Sequence, residues 1–285
     1  MSSASPEAGA GFRIMGVINV TPDSFSDGGR YLAAEAAIAH GLELERDGAV
    51  ILDVGGESTR PGAAAVSEAE ELGRVIPVIE GLIERGARAE ISIDTSKSGV
   101  AARALRAGAT LVNDVTALRG DPEMAAVVAA AGAECCLMHM LGDPRTMQDD
   151  PRYDDVVDDI KAFLHERMAF AVGSGIAEER ILLDPGIGFG KTIAHNLELL
   201  RRLSEFLDLG RPLVIGTSRK SFLGRLTGRE VPDDRLAGTI ATNVLAYERG
   251  ARVFRVHDVG PVHDALTVAA ATVSPPWTIR TSTTK

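Results

Sequence analysis

Eight short apolar runs, each closed by a polar residue, constrain this chain more than any other feature. IMGVIN ends at Asn19, VILD at Asp53, ISID at Asp94, and TLVND at Asn113 and Asp114. CCLMH then ends at His139, ILLD at Asp184, LVIGTS at Ser218, and VFRVHD at His257 and Asp258. Runs rich in Val, Ile and Leu read as strands buried on both faces, the kind found in parallel sheets. Helical patterns alternate with them over residues 33–46, 67–85, 97–107, 122–131, 153–173, 193–207, 234–249 and 262–273. Gly48, Gly86, Gly108, Gly132, Gly210 and Gly250 are placed to close several of these helices. A doubly wound sheet uses the same units. Eight strands without an evident second domain favour a single-domain, eight-stranded parallel β/α (TIM) barrel, whose active site lies where the strands end.

The expected body is a catalytic barrel over residues 12–273, with mobile tails at 1–11 and 274–285. A net charge of −10 argues against non-specific binding to nucleic acid or acidic membranes. It leaves room for an anionic small substrate, which responds to local charge. No uncharged apolar stretch approaches the roughly 18 residues of a membrane span. The N-terminal segment lacks the basic region and apolar run of a signal peptide, so a cytoplasmic location is expected. The adjacent Cys135 and Cys136 fall inside a strand and read as core.

The loops after the first two strands are long, polar and rich in Gly and Pro, and the second carries Arg60. After the sixth strand comes DPGIGFGKT, which resembles two nucleotide motifs and satisfies neither. Pro185 occupies the position where a Walker A loop needs its first Gly, and Gly186, Gly188 and Gly190 have the wrong spacing for G-x-G-x-x-G. What remains is Asp184 followed by a loop with Phe189 and Lys191 at its expected tip. Ser218, Arg219, Lys220 and Ser221 are expected to open a helix after the seventh strand, and Arg255 and His257 end the eighth. Barrel closure brings that last strand beside Asn19, a corner suited to an oxyanion. Asp94, Asn113 and Asp184, with Met138 alongside, suit a flat heterocycle whose edge carries N–H donors. Pairing of Asp94 and Asp184 with Lys220 or Arg255, merely to hold the barrel together, is the competing structural reading.

Taken together, MGVINVTPDSFSDGG, DVGGESTRPGA, SIDTSK, VNDVTA, LMHM, DPGIGFGKT, GTSRKSFLG and RVHDV resemble the dihydropteroate synthases, from about Met15 to His257. The resemblance implies condensation of 6-hydroxymethyl-7,8-dihydropterin diphosphate with p-aminobenzoate, giving 7,8-dihydropteroate and diphosphate. It implies a pterin-binding set of Asp94, Asn113, Asp184 and Lys220, with Met138 packed on the ring. Asn19, Thr59, Arg60, Arg255 and His257 resemble the diphosphate and magnesium group, Asn19 being the metal-associated residue. Phe189 and Ser221, with the turn at Arg60 and Pro61, resemble the p-aminobenzoate pocket. Arg60, Asp94, Asp184, Lys220 and Arg255 are the implied catalytic residues. Sulfonamides, which mimic p-aminobenzoate, are expected to compete, and a homodimer is implied. Leu141 stands where many relatives have Gln.

Three rivals differ in chemistry. A pterin-dependent methyltransferase has no use for the Arg219–Lys220 and Arg255–His257 groups and needs a corrinoid partner. A Schiff-base aldolase would use Lys220. A non-catalytic pterin-binding homologue would not require Asn19, Arg60, Lys220 and Arg255 together.

Overall fold

A computed structural model describes residues 11–21, 29–58, 65–143 and 146–273. The expected N-terminal tail, apart from Gly11, and the expected C-terminal tail lie outside them. The strands are β1 (Arg13–Asn19), β2 (Ile51–Gly55), β3 (Glu90–Asp94), β4 (Leu111–Asp114), β5 (Glu134–Met138), β6 (Ile181–Asp184), β7 (Val214–Ile215) and β8 (Val253–Val256). The helices are α1 (Gly29–Arg46), α2 (Glu68–Glu84), α3 (Ser98–Ala107), α4 (Met124–Ala131), α5 (Val156–Gly173), α6 (Ile193–Arg201), α7 (Ser221–Thr227), α8 (Leu236–Glu248) and α9 (Val259–Val273).

All pairings are parallel, in the order β6-β5-β4-β3-β2-β1-β8-β7. A bridge between Leu183 and Leu213, with the Leu183 N–H donating to Pro212 O at 3.0 Å, closes the ring between β6 and β7. This is the expected barrel. Because side chains alternate across a strand, each strand serves two cores. Met15, Ile51, Leu111, Cys136, Leu182, Val214 and Val253 fill the interior. The opposite strand faces, including Ile14, Leu52, Ile93, Val112 and Phe254, pack against the helices. Burying each such side chain contributes about 1.5–3 kcal/mol. Cys135 and Cys136 are both fully buried, one on each side of β5, and burial pushes their thiol pKa values up.

Helix starts follow local chemistry. Asp155 caps α5 by accepting from the Val157 and Asp158 N–H groups at 2.9 and 3.1 Å. Thr192 and His195 form a capping box on α6. All six glycines expected to close helices have positive φ.

Several expected boundaries move. The 193–207 pattern divides into α6 and a 3-10 segment (Leu203–Leu209), because Arg202 leaves helical geometry and its guanidinium ties Asp155 and Glu205 at 2.7 and 2.8 Å. Residues 234 and 235 belong to a 3-10 turn (Pro232–Arg235) ahead of α8. The helix opened by the SRKS segment begins only at Ser221, since Arg219 has φ +58° in the turn before it.

Candidate active site

The strand ends converge at one mouth of the barrel, with a buried charged network at its centre. Arg255 Nε donates to Asp53 Oδ2 at 2.6 Å and its Nη2 to Asp94 Oδ2 at 2.7 Å. Asp53 also accepts from Ser92 Oγ at 2.6 Å and from Asn113 Nδ2 at 3.1 Å. Asp53 is 0% exposed, and sequence reasoning left it without a direct role. It is the junction that orients Arg255 and Asn113. Its position at the end of β2 was the available signal, but that signal does not say which arginine it meets.

Arg255 is thus turned into the barrel, toward the heterocycle-type residues. The expected oxyanion corner of Asn19, Arg255 and His257 is formed by neighbouring strands, but Arg255 is not a free member of it. β1 and β8 are in register with Met15 opposite Arg255 and Gly16 opposite Val256. His257 meets Ser218, whose Oγ lies 3.1 Å from the His257 N–H and 3.0 Å from Nδ1. Asn19 is half-buried at the tip of β1.

Burial lifts the Asp94 carboxyl to about 7, against the opposing pull of Arg255. Burial works against the charge on Arg255, but Asp53 and Asp94 outweigh it and hold the guanidinium protonated. Asp184 is 6% exposed and accepts from the Gly186 N–H at 2.7 Å. Burial raises its pKa, while that hydrogen bond and then Lys220 oppose the rise. Gly186 has φ +70°, and a Cβ there would meet His139 O at 1.9 Å, so the turn after β6 admits only glycine.

Lys220 Nζ donates to Ile187 O and lies 4.0 Å from the Phe189 ring centroid. Burial lowers its pKa to about 7, with Asp184 opposing. Met138 lines an apolar patch with Val115, Met140 and Met147, against which Phe189 packs. Ser221 is the first residue of α7. Asp94, Asn113, Met138, Asp184, Phe189, Lys220, Ser221, Arg255 and His257 are therefore all placed around this mouth. Thr59 and Arg60 lie outside the described residues.

Two readings need correction. Lys191 is not at an exposed loop tip; it is 3% exposed, with Nζ 2.9 Å from His139 Nδ1. Burial pushes the Lys191 ammonium well down. Burial, then Lys191, push His139 down to about 2, so the imidazole is neutral. Arg219 contributes no free charge to an anion site, because Asp258 takes its Nε at 3.0 Å and Nη2 at 2.6 Å, and Asp233 takes its Nη1.

The structural pairing reading holds for Asp94, which does bind Arg255. It does not account for Asp184, whose hydrogen bond comes from its own turn, or for Lys220, whose ammonium donates to a backbone carbonyl.

A model of the family described as pterin binding enzyme matches residues 15–257. The dihydropteroate synthase of Escherichia coli (strain K12) is 47% identical over 261 residues, 92% of each chain. The solved Xanthomonas albilineans dihydropteroate synthase with 4-aminobenzoic acid is 51% identical with a TM-score of 0.87, over 93% of this chain and 94% of that one. A structure of the enzyme from the same organism, in complex with 7,8-dihydropteroate, is 48% identical with a TM-score of 0.84 over the same shares.

Proposed function

The chain belongs to the dihydropteroate synthase family of pterin-binding enzymes, and from that premise we propose how its barrel mouth joins a dihydropterin diphosphate to p-aminobenzoate. The observation that carries the reading is the set of buried acceptors, Asp94, Asp184 and the Asn113 amide, beside the apolar Met138 wall. A pterin presents a flat ring with N–H donors on its edge. Carboxylates only accept hydrogen bonds, and Asn both accepts and donates, so the set matches that edge.

In the proposed reaction the C–O bond to the diphosphate breaks and diphosphate leaves with the bonding pair. The dihydropterin ring spreads the positive charge left on the methylene carbon. Asp94 and Asp184 stabilise that cationic ring, and their anionic forms do so best. The amine nitrogen of p-aminobenzoate then attacks the methylene carbon, and its surplus proton passes to the released diphosphate. No enzyme nucleophile is required; positioning supplies much of the rate. Lys220, between the Phe189 ring and the Asp184 side of the mouth, links the two substrate pockets. Phe189 and Ser221 border the amine, and His257, with Thr59 and Arg60, serves the diphosphate.

Among the described residues no three His, Cys, Asp or Glu side chains are grouped to cage a metal. The Asn19 amide oxygen would suit a magnesium ion held jointly with the oxygens of the bound diphosphate. Bound there, magnesium would neutralise charge on the leaving diphosphate.

The same proposal includes competition by sulfonamides, a homodimer and a cytoplasmic setting, all from the family resemblance. Among the described residues no helix is long and apolar enough to cross a membrane. The test is a product assay with both substrates and magnesium. Formation of dihydropteroate, suppressed by a sulfonamide, is expected; no product from folded protein would refute the proposal.

A further inference from the structure

Four consecutive carbonyls after β6 are each held by a different side chain. Ile187 O accepts from Lys220 Nζ, and Gly188 O accepts from Gln148 Nε2 at 2.7 Å. Phe189 O accepts from Lys191 Nζ at 2.9 Å, and Gly190 O from the Tyr153 hydroxyl at 2.7 Å. The Gly188 N–H also donates to Asn196 Oδ1 at 2.7 Å. Loop carbonyls at a surface are ordinarily left to water. Here the donors come from the start of α7, the β5–α5 connection and the loop itself.

We propose that Gln148, Tyr153 and Lys191 are positioning residues for the aryl-amine substrate, fixing the backbone that presents the Phe189 ring. The inference rests on the reading that Phe189 borders the amine pocket.

Two further observations support it. The loop is wedged as well as tethered: a Cβ on Gly190 would meet Leu141 Cβ at 2.6 Å, so the backbone abuts the β5–α5 connection. Lys191 Nζ also reaches the end of β5, lying 2.9 Å from His139 Nδ1 and 3.4 Å from His139 O. One buried amine therefore couples the strand end to the residue that carries the aromatic ring. Two pterin acceptors, Asp94 and Asn113, do not depend on these tethers, since they are held by Arg255 and Asp53, and the third, Asp184, takes its hydrogen bond from the Gly186 N–H, ahead of the four tethered carbonyls. Loosening the loop should blunt recognition of the flat anionic aryl amine and spare the pterin.

Steady-state kinetics on Tyr153→Phe, Gln148→Leu and Lys191→Met test this. Loss of one hydrogen bond predicts a KM for p-aminobenzoate raised about threefold in the first two variants, and about tenfold for the buried Lys191. The inhibition constant of a sulfonamide should rise in parallel, with kcat and the pterin diphosphate KM within about twofold of wild type. Tyr153→Phe keeps the ring packed 5.0 Å from His195 and 6.0 Å from His139, so it decides the matter if Lys191→Met does not fold. Lowered melting temperature with unchanged p-aminobenzoate KM would overturn the inference, as would an equal rise in both KM values. Wild-type protein that makes no dihydropteroate would instead overturn the proposed function. Direct titration with p-aminobenzoate would then decide the positioning role, unchanged affinity in Tyr153→Phe and Gln148→Leu counting against it.

Discussion

Arg13 and Arg255 lie at opposite ends of the same barrel, and each bridges two carboxylates. Arg13, at the start of β1, meets Glu90 at 2.6 Å and Glu134 at 3.3 Å. Arg255, at the end of β8, meets Asp53 at 2.6 Å and Asp94 at 2.7 Å. The ingredients match, but the surroundings do not. The Glu90 side chain is 44% exposed, whereas those of Asp53 and Asp94 are 0% and 10% exposed. Water screens the first cluster, so it only ties three strand starts together. Burial makes the second costly unless every group is paired, and it shifts Asp94 into the neutral pH range. The same ion-pair chemistry is screened and structural at one end and, in the proposed function, faces the pterin at the other, where this fold places its chemistry.

Breaking the buried cluster should give the largest effect. Arg255→Ala leaves buried Asp53 with the Ser92 and Asn113 hydrogen bonds but without its ionic partner, which predicts a loss of about 3–5 kcal/mol in urea unfolding. Product formation should fall at least about 100-fold, because Asp94 loses its anchor and the Asp53 carboxylate that holds Asn113 loses its ionic partner.

A smaller effect comes from pH. Asp94, raised from 3.8 to about 7, is ionised only above that value, and Lys220, lowered from 10.5 to about 7, is protonated only below it. If catalysis needs both charges, kcat/KM peaks near pH 7 and falls on either side. Lys220→Arg, whose side chain stays protonated, should lose the alkaline limb and keep the acid one. An unchanged alkaline limb would remove Lys220 from the account.

Arg13→Ala should have the smallest effect. Partly exposed pairs contribute roughly 0.2–1 kcal/mol each, so the protein should unfold slightly earlier and turn over at the wild-type rate.

Much of this contrast was legible in the sequence and part of it was not. The eight polar strand ends marked the mouth because buried apolar runs announce where strands stop. Asp94, Asn113 and Asp184 stand out as candidates that way, Lys220 comes from the segment just past the Ser218 strand end, and the family resemblance supplies their expected roles. Asp53 carried the same mark, but a one-dimensional pattern does not reveal that β8 aims Arg255 across the barrel at β2 and β3. Lys191 was misread because a Gly-rich segment resembles an exposed loop. Three positive-φ glycines instead fold it inward, against the end of β5 and Leu141. SFLGRLT, at seven residues with an internal glycine, was too short to show a helical period, so only the start of α7 was expected.

Calorimetric titration of a pterin lacking the diphosphate, into wild type, Arg13→Ala and Arg255→Lys, tests the central contrast most directly. Arg255→Lys keeps the charge and loses the planar bridge between Asp53 and Asp94. The account predicts that Arg13→Ala binds within about twofold of wild type and that Arg255→Lys binds at least about tenfold more weakly. Unchanged binding by folded Arg255→Lys, or an equal loss in both variants, would contradict it.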